Sequence, residues 1–272
     1  MGRWFYILGG LVLAVAVSWG GVAAAPDKDL LHIVACDVGQ GDGILIFTGT
    51  NQILVDGGPG NLVLDCLGKY MPFWDRQLEL VINTHPQKDH YQGLIEVFKR
   101  YEVDKFLVSG LDSSNQGWRV LQETVGGKGV ETITASCGQK LRLGLIYLDI
   151  VNPCSLDNIG DPNEASVIFY LKFEDFDALF TGDIYTRDLP LSLAHKIDYL
   201  KVPHHGSKNG LSDDWLVATA PRVAVISVGK NSYGHPSEEI MKILGERDIK
   251  VLRTDEEGDI EIISDGKSWW VR

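Results

Sequence analysis

Short apolar runs separated by glycine- and aspartate-rich turns dominate the chain just after residue 30. Residues 31–36 and 43–47 are β-rich runs on either side of such a turn, and residues 52–55 form a third run that ends at Asp56. Apolar runs of this length bounded by turn residues are typical of strands. Three of them in series predict an antiparallel meander.

Beyond the meander, segments with helical periodicity alternate with strand-like runs. The predicted helices cover residues 61–70, 93–100, 116–124, 186–195, 213–219 (with Ser212 as the N-cap) and 237–247. The predicted strands cover residues 78–83, 103–108, 130–135, 141–143, 146–151, 165–172, 178–181, 199–202 and 222–228, with edge strands at 250–254, 259–264 and 268–272. This order predicts an α/β fold, with two sheets and helices outside them, in one domain over residues 31–272.

Aspartate and histidine side chains recur where predicted strands end. The clearest case is the strand-to-helix loop that contains His85, Asp89 and His90. The other residues so placed are Asp56, Asp183, His204, His205 and His235. Because the carboxyl ends of strands in open α/β sheets usually hold ligand sites, we expect these loops to converge. Histidine nitrogen and aspartate oxygen suit Zn²⁺ or Mn²⁺, so the predicted site binds a divalent metal.

The first 25 residues differ in character from the rest. Arg3 is the single charged residue before Asp27, and residues 4–25 are apolar or small. Ala23 to Ala25 resemble a cleavage site for a secretory signal peptide, but the stretch is also long enough to act as an N-terminal membrane anchor. Either interpretation predicts an extracytoplasmic domain, secreted or anchored, with membrane contact only through residues 4–25.

Net charge narrows the function only slightly. Acidic residues outnumber basic ones 37 to 25, giving a formal net charge of −12. This balance argues against a protein that coats nucleic acid, which needs many lysines and arginines. A nuclease remains compatible, because bound metal ions and a small basic rim can supply a local positive field.

Four cysteines, Cys36, Cys66, Cys137 and Cys154, are widely spaced and form no Cys-x-x-Cys pair. An exported protein could join them in one or two disulfides. Cys36 and Cys66 lie in apolar segments and are interpreted as small core residues. We predict no cysteine ligand to metal.

Taken together, the motifs resemble those of the metallo-β-lactamase superfamily, and within it the hydrolase domain of ComEC-type DNA-uptake competence proteins. They occur in the family's order and cover about residues 31–272. The resemblance implies a four-layer αββα sandwich with a one- or two-metal hydrolytic site. The matching motifs are DVGQGD at 37–42, DGG at 56–58, THPQKDH at 84–90, TGD at 181–183, LKVPHHGS at 200–207 and GHP at 234–236.

The metal ligands implied by the resemblance are incomplete. The superfamily's His-x-His-x-Asp-His signature is matched by His85, Asp89 and His90, but Gln87 stands where the second histidine belongs. The histidine expected before the Gly-Asp motif also lacks a counterpart; Asn163, Glu164 and Ser166 lie near its place. We therefore expect one tight metal site and a second that is weak or absent. The predicted ligands are His85, Asp89, His90, Asp183, His205 and His235.

The same resemblance implies the roles of the remaining residues. Asp89 is expected to orient the attacking water as well as to bind metal, and His204 or His205 to protonate the leaving oxygen. His235 is expected to be the last ligand, with a turn residue beside Pro236 as the alternative. Three further residues are expected either to bind metal weakly or to orient the ligands through hydrogen bonds: Gln87, Asp56 and Asp42.

The resemblance implies a metal-dependent phosphodiesterase or nuclease that acts on DNA outside the cytoplasm, with a separate membrane channel protein as a partner. One alternative is a metallohydrolase of small esters, lactones or β-lactams. Another is a non-catalytic envelope binding module with a degenerate metal site, an interpretation that Gln87 favours.

Overall fold

The computed structural model describes Tyr6 and residues 27–272. The predicted signal peptide or anchor at residues 1–25 therefore lies outside the described residues, apart from Tyr6. Among the described residues, no helix has the length and apolar character needed to cross a bilayer.

Two mixed sheets form the centre of the described region. Their strands are β1 (Leu31–Ala35), β2 (Ile44–Thr48), β3 (Asn51–Val55), β4 (Gln77–Asn83), β5 (Glu102–Val108), β6 (Glu131–Thr134), β7 (Lys140–Leu143), β8 (Ile146–Asn152), β9 (Ile168–Phe173), β10 (Phe176–Phe180), β11 (Tyr199–Lys201), β12 (Val223–Ile226), β13 (Lys250–Arg253), β14 (Ile260–Ser264) and β15 (Trp269–Val271). The first sheet has the order β15-β14-β1-β2-β3-β4-β5-β6, and the second has the order β13-β12-β11-β10-β9-β8-β7.

Strand direction determines where the site forms. β1, β2 and β3 pair antiparallel, which confirms the predicted meander. β3 to β6 run parallel in the first sheet, and β10 to β13 run parallel in the second. Parallel strands end at the same edge of their sheet. The loop after β4 therefore leaves one edge of the first sheet, and the loops after β10, β11 and β12 leave one edge of the second.

The main core lies between the two sheets. Ile33, Ile46 and Ile82 of the first sheet share one buried cluster with Phe169 and Phe180 of the second. Side chains alternate between the faces of a strand, so the neighbours of these residues point outward, towards the helices. Burial of apolar area on both faces of both sheets is the main favourable term that holds these layers together.

Helices cover the outer faces of the sheets. They are α1 (Leu62–Tyr70), α2 (Lys88–Arg100), α3 (Gln116–Lys128), α4 (Asp213–Thr219), α5 (Glu238–Gly245) and the single turn α6 (Thr254–Glu257). Leu67, Leu94 and Leu121 from the first three helices pack on the first sheet. Leu216 and Leu244 from α4 and α5 pack on the second. The predicted four-layer αββα sandwich is confirmed.

Two local predictions were wrong, and a third was only partly right. Residues 186–195 form two 3₁₀ turns, Thr186–Asp188 and Leu191–Leu193, because Pro190 lacks the N–H that a continuous helix needs. Ser212 is the N-cap residue of α4, as predicted, but its hydroxyl accepts from Thr186 Oγ1 at 3.3 Å and makes no capping hydrogen bond. β14 is an interior strand between β1 and β15, so only β13 and β15 of the three predicted edge strands lie at edges.

Both pairs of cysteines form disulfides, Cys36 with Cys66 and Cys137 with Cys154. The interpretation of Cys36 and Cys66 as separate small core residues was therefore wrong. α1 packs over the end of β1 and brings the two Cα atoms to 5.8 Å, a separation that a disulfide spans. Both residues are buried, so the bond also fills part of the apolar layer under α1.

Candidate metal centre

Asp56 fixes the orientation of His90. The buried Asp56 carboxylate accepts hydrogen bonds from Asn83 Nδ2 at 2.9 Å and from the backbone N–H and hydroxyl of Thr84 at 2.8 and 2.7 Å. It also accepts one from His90 Nδ1 at 2.9 Å. Because Nδ1 of His90 makes this hydrogen bond, its Nε2 is directed at Asp183, whose Oδ2 lies 3.3 Å away, and in the neutral ring Nε2 would carry the lone pair that binds metal.

His205 is held in the same tautomer by a backbone carbonyl. Its Nδ1 donates to the carbonyl oxygen of Ser227 at 2.9 Å. The backbone at His205 has a φ of 51°, in the left-handed region, which turns the side chain inward from the loop after β11. Its Nε2 then lies 3.3 Å from Asp183 Oδ2 and 3.6 Å from Asp89 Oδ2.

His85 is the third imidazole of the site whose Nδ1 is hydrogen-bonded and whose Nε2 has no partner among the described residues. The Thr84 hydroxyl lies 3.0 Å from His85 Nδ1, and its own proton is donated to Asp56, so it accepts from His85. Nε2 of His85 is thus also free to accept. Burial, together with the charge of the adjacent His90, lowers the pKa of His85 to about 3, so this ring is neutral.

The donor set fits a divalent metal ion. Asp89, His90, Asp183 and His205, the His/Asp cluster, each offer one atom, and these four atoms lie within 4.8 Å of one another. The buried Nε2 atoms of His85, His90 and His205 make no hydrogen bond within the described part of the chain. Buried polar atoms in native proteins are normally satisfied, so these orphaned atoms indicate a missing partner. Two imidazoles and two carboxylates suit Zn²⁺ or Mn²⁺.

The cluster is electrostatically coupled. Burial alone would lower the pKa of His205, but the carboxylates of Asp183, Asp42 and Asp89 outweigh it and raise the pKa to about 9. Conversely, burial would raise the pKa of Asp89, but the neighbouring rings of His205 and His90 lower it to about 2. Without metal, the cluster is therefore a network of charged histidines and carboxylates.

Lys201 is a central residue that the sequence analysis missed. Its side chain is 1% exposed and its Nζ contacts the Asp42 carboxylate, which is 2% exposed. Nζ also lies 3.7 Å from Asp183 Oδ1 and donates to the carbonyl of Gly182 at 3.3 Å. Burial would lower the pKa of Lys201, but Asp42 and Asp183 raise it, so the ammonium stays charged. In the sequence, the feature that could have pointed to this residue is a lysine inside the apolar run 199–202.

Asp42 therefore lies behind the cluster rather than within it. Its Oδ1 is 3.5 Å from His205 Nδ1 and its Oδ2 is 3.8 Å from His90 Nδ1. It faces the protonated side of both rings and is neutralised by Lys201. Asp42 and Asp56, which the motifs placed near the site, both contact the histidines from the side opposite their free Nε2 atoms.

His235, predicted as the last ligand, is not among the four residues of the His/Asp cluster, whereas His205, also a predicted ligand, is. Asn231 holds the loop that carries His235: its Nδ2 donates to the His235 carbonyl at 2.7 Å, and its Oδ1 accepts from the His235 N–H at 3.1 Å. The His235 ring packs against His204, with ring centroids 5.5 Å apart. His204 Nε2 lies 4.0 Å from Asp183 Oδ2, at the margin of the cluster.

Gln87 and its neighbours form the opening of the site. A cleft of about 580 Å³, the site cleft, lies over the cluster and is lined by Gln40, Pro59, Gln87, Lys88, Asp89, His204, His205, Lys230, Asn231, Ser232, Tyr233 and His235. The backbone carbonyl of Gln87 accepts from the N–H groups of His90 and Tyr91 and so begins α2. Near the place of the other missing histidine, Ser166 reaches the site: its hydroxyl accepts from the Asp183 N–H at 3.1 Å.

This arrangement of two sheets and a strand-end cluster defines the class of protein. YhfI from Bacillus subtilis, a solved metallo-β-lactamase fold protein, superposes with a TM-score of 0.58 at 13% identity, covering 89% of this chain and 100% of its own. The chain has the metallo-β-lactamase fold. No family model matches its sequence.

Within that fold, the sequence is similar to part of the competence proteins. It is 28% identical to the ComE operon protein 3 of Bacillus subtilis, covering 83% of this chain and 32% of that protein. It is 27% identical to the competence protein ComA of Neisseria gonorrhoeae, covering 92% of this chain and 34% of that protein. The chain thus spans about a third of the length of these curated relatives.

Proposed function

We propose that this protein is a metal-dependent phosphodiesterase that cleaves DNA. The observation that carries the proposal is the His/Asp cluster at the base of the site cleft, where His90 and His205 present free, buried Nε2 atoms to Asp89 and Asp183. These four side chains would hold a divalent ion, which when bound would supply Lewis-acid charge to a phosphate oxygen and acidify a water molecule.

The charge of the cleft supports an anionic substrate. Although the whole chain carries a formal net charge of −12, Lys88 and Lys230 line the site cleft. Among the described residues that line it, Asp89 is the single carboxylate, and Asp89 belongs to the His/Asp cluster. A local basic rim around a metal centre suits a phosphodiester better than a neutral ester or lactone.

The side chains divide the chemistry between them. Asp89 is partly exposed, lines the cleft and has its Oδ2 3.6 Å from His205 Nε2, so it can orient a water molecule at the reacting phosphate. His205 faces into the cluster, which leaves His204 to exchange a proton with the departing oxygen. The His204 side chain is 20% exposed to the cleft, and burial, with the charges around it, lowers its pKa. Asp56 and Ser227 keep His90 and His205 in the tautomer that leaves Nε2 free.

DNA as the substrate is supported by the relatives, since the name of one of them describes a competence protein. We further infer that the domain works outside the cytoplasm and that a separate membrane channel protein conducts the DNA. The two disulfides support this location, because such bonds persist in oxidising compartments.

The test is substrate discrimination by the purified 272-residue chain. In Mn²⁺ or Zn²⁺ it should hydrolyse single-stranded DNA and bis(p-nitrophenyl) phosphate, and Asp89→Ala should abolish both activities. A chromogenic cephalosporin serves as the competing substrate. Turnover of the cephalosporin in place of the phosphodiester would reject the proposal in favour of a β-lactam or ester hydrolase. A chain that binds no metal, or that hydrolyses neither DNA, nor bis(p-nitrophenyl) phosphate, nor the cephalosporin, would instead be a binding module.

A further inference from the structure

Four aromatic rings form a row beside the metal centre. His204 packs against Tyr185 on one side, with ring centroids 5.5 Å apart, and against His235 on the other, also at 5.5 Å. Tyr233 extends the row beyond His235 at 5.7 Å. We call Tyr185, His204, His235 and Tyr233 the aromatic row. His204, the second ring of the row, lies at the margin of the His/Asp cluster, because its Nε2 is 4.0 Å from Asp183 Oδ2.

The outer end of the row is displayed to solvent. Tyr233 is 74% exposed, so its ring adds little to the core. Its loop is nevertheless firmly held, because Asn231 Oδ1 accepts from the N–H of Tyr233 at 3.0 Å and from that of His235 at 3.1 Å. Asn231 Nδ2 also donates to the carbonyl of Gly229 at 2.9 Å. A large, exposed aromatic ring carried on a backbone held in this way is available to a flat partner at a low ordering cost.

Cationic side chains flank the row. The Arg187 guanidinium lies 5.1 Å from the centre of the Tyr185 ring. Lys230 lines the site cleft together with Tyr233, and Lys88 lines it beside Gln87. Aromatic faces accompanied by lysine and arginine are how proteins hold single strands, since bases stack on the rings while the cations follow the phosphates.

We propose that the aromatic row is a stacking platform for the bases of single-stranded DNA, with Tyr233 as its outermost contact. This inference rests on the proposed function and adds a substrate form to it. Bases of a duplex are already stacked and paired, so a single strand presents its base faces at lower cost. Stacking on Tyr233 and His235 would guide the strand so that a phosphate reaches the His/Asp cluster.

The test compares two oligonucleotides of equal length and charge, a phosphorothioate oligothymidylate and its abasic counterpart, by fluorescence anisotropy with the metal-loaded chain. The wild type should prefer the strand with bases by about fivefold or more. Tyr233→Ala should lose this preference, and Tyr233→Phe should keep it. Tyr147→Ala is the matched control, because Tyr147 is also exposed but lies on β8, away from the cleft, and it should behave as wild type.

The outcomes separate this inference from the proposed function. Equal binding of the two strands by the wild type, or an unchanged preference in Tyr233→Ala, overturns the stacking platform even when bis(p-nitrophenyl) phosphate is still hydrolysed. A Tyr233-dependent preference without any phosphodiester hydrolysis supports the platform and rejects the enzyme. Thermal unfolding midpoints of Tyr233→Ala and the wild type, measured in parallel, establish that the variant is folded.

Discussion

Lys201 and Asp42 form an ion pair inside the protein, directly behind the histidines of the His/Asp cluster. The same ammonium faces Asp183 Oδ1 at 3.7 Å, while Asp183 Oδ2 faces His90 and His205. The two oxygens of Asp183 are thus divided between a fixed cation and the metal-binding imidazoles. Because the Lys201 ammonium lies beside one of the two Asp183 oxygens, its charge adds to Gln87 as a reason to expect one tight metal.

Removing one partner of this pair should be costly. Lys201→Met leaves the Asp42 carboxylate buried and uncompensated, and we expect a loss of about 3–5 kcal/mol in the free energy of unfolding. The Lys201→Met/Asp42→Asn double variant should recover much of that loss, since it leaves no buried charge. Urea unfolding of the wild type, Lys201→Met, Asp42→Asn and the double variant measures this coupling. Additive losses in the double variant would show that the two side chains do not act as a pair.

His205 and His235 provide a comparison between a cluster residue and a cleft residue. His205→Ala removes one of the four donor atoms, so the Kd for Zn²⁺ or Mn²⁺ should rise by at least about 100-fold. His235→Ala should leave the Kd within a few fold of wild type, because His235 lies beyond His204. Isothermal titration calorimetry gives both values, and a larger effect from His235 would reject the ligand set.

Asp56 should tune metal binding without touching the ion. Asp56→Asn weakens the acceptor for His90 Nδ1 and should lower metal affinity by about 10–100-fold. Asp75→Asn is the matched control, since Asp75 is a buried carboxylate that accepts from Gln52 Nε2 at 2.9 Å, away from the site. Equal metal affinities for Asp56→Asn and the wild type would remove the proposed role of Asp56.

Metal binding should release protons at neutral pH. The pKa of His205 is raised to about 9, and Asp183 and Asp56 hold the pKa of His90 well above its usual value against the effect of burial. Both rings are therefore protonated in the metal-free chain at pH 7 and must lose a proton to bind metal. Below the pKa of these rings, the affinity for metal should therefore fall about tenfold for each unit by which the pH is lowered, for each proton released. Calorimetry in buffers of different ionisation enthalpy counts these protons; a count of zero contradicts the protonated histidines.

The fold was largely readable from the sequence because apolar periodicity specifies strands and helices locally. The meander, β4 and α2 with the loop between them, and the second set of strands were all predicted. The helix predicted at residues 186–195 does not form, because Pro190 interrupts it and two 3₁₀ turns take its place. The Cys36–Cys66 disulfide depends on how α1 packs over β1, which local periodicity does not specify.

The site was only partly readable. The histidines and aspartates that reach the site were named in advance, but His205 and His235 were both predicted as ligands, and their different positions depend on loop conformation. The left-handed backbone at His205 turns its ring inward, and Asn231 holds the His235 loop at the cleft wall. Lys201 was missed because a lysine in a short apolar run shows its role only when Asp42, 159 positions earlier in the chain, is seen beside it.

The most direct test of the central claim is a titration of the metal-stripped chain with Mn²⁺, in which bound metal and cleavage of single-stranded DNA are followed together. We predict that cleavage rises with the first bound equivalent and is near its maximum when that site is full. Asp183→Asn should show neither the tight site nor the activity. Undiminished cleavage in the stripped protein, or in Asp183→Asn, would contradict a metal-dependent phosphodiesterase built on the His/Asp cluster.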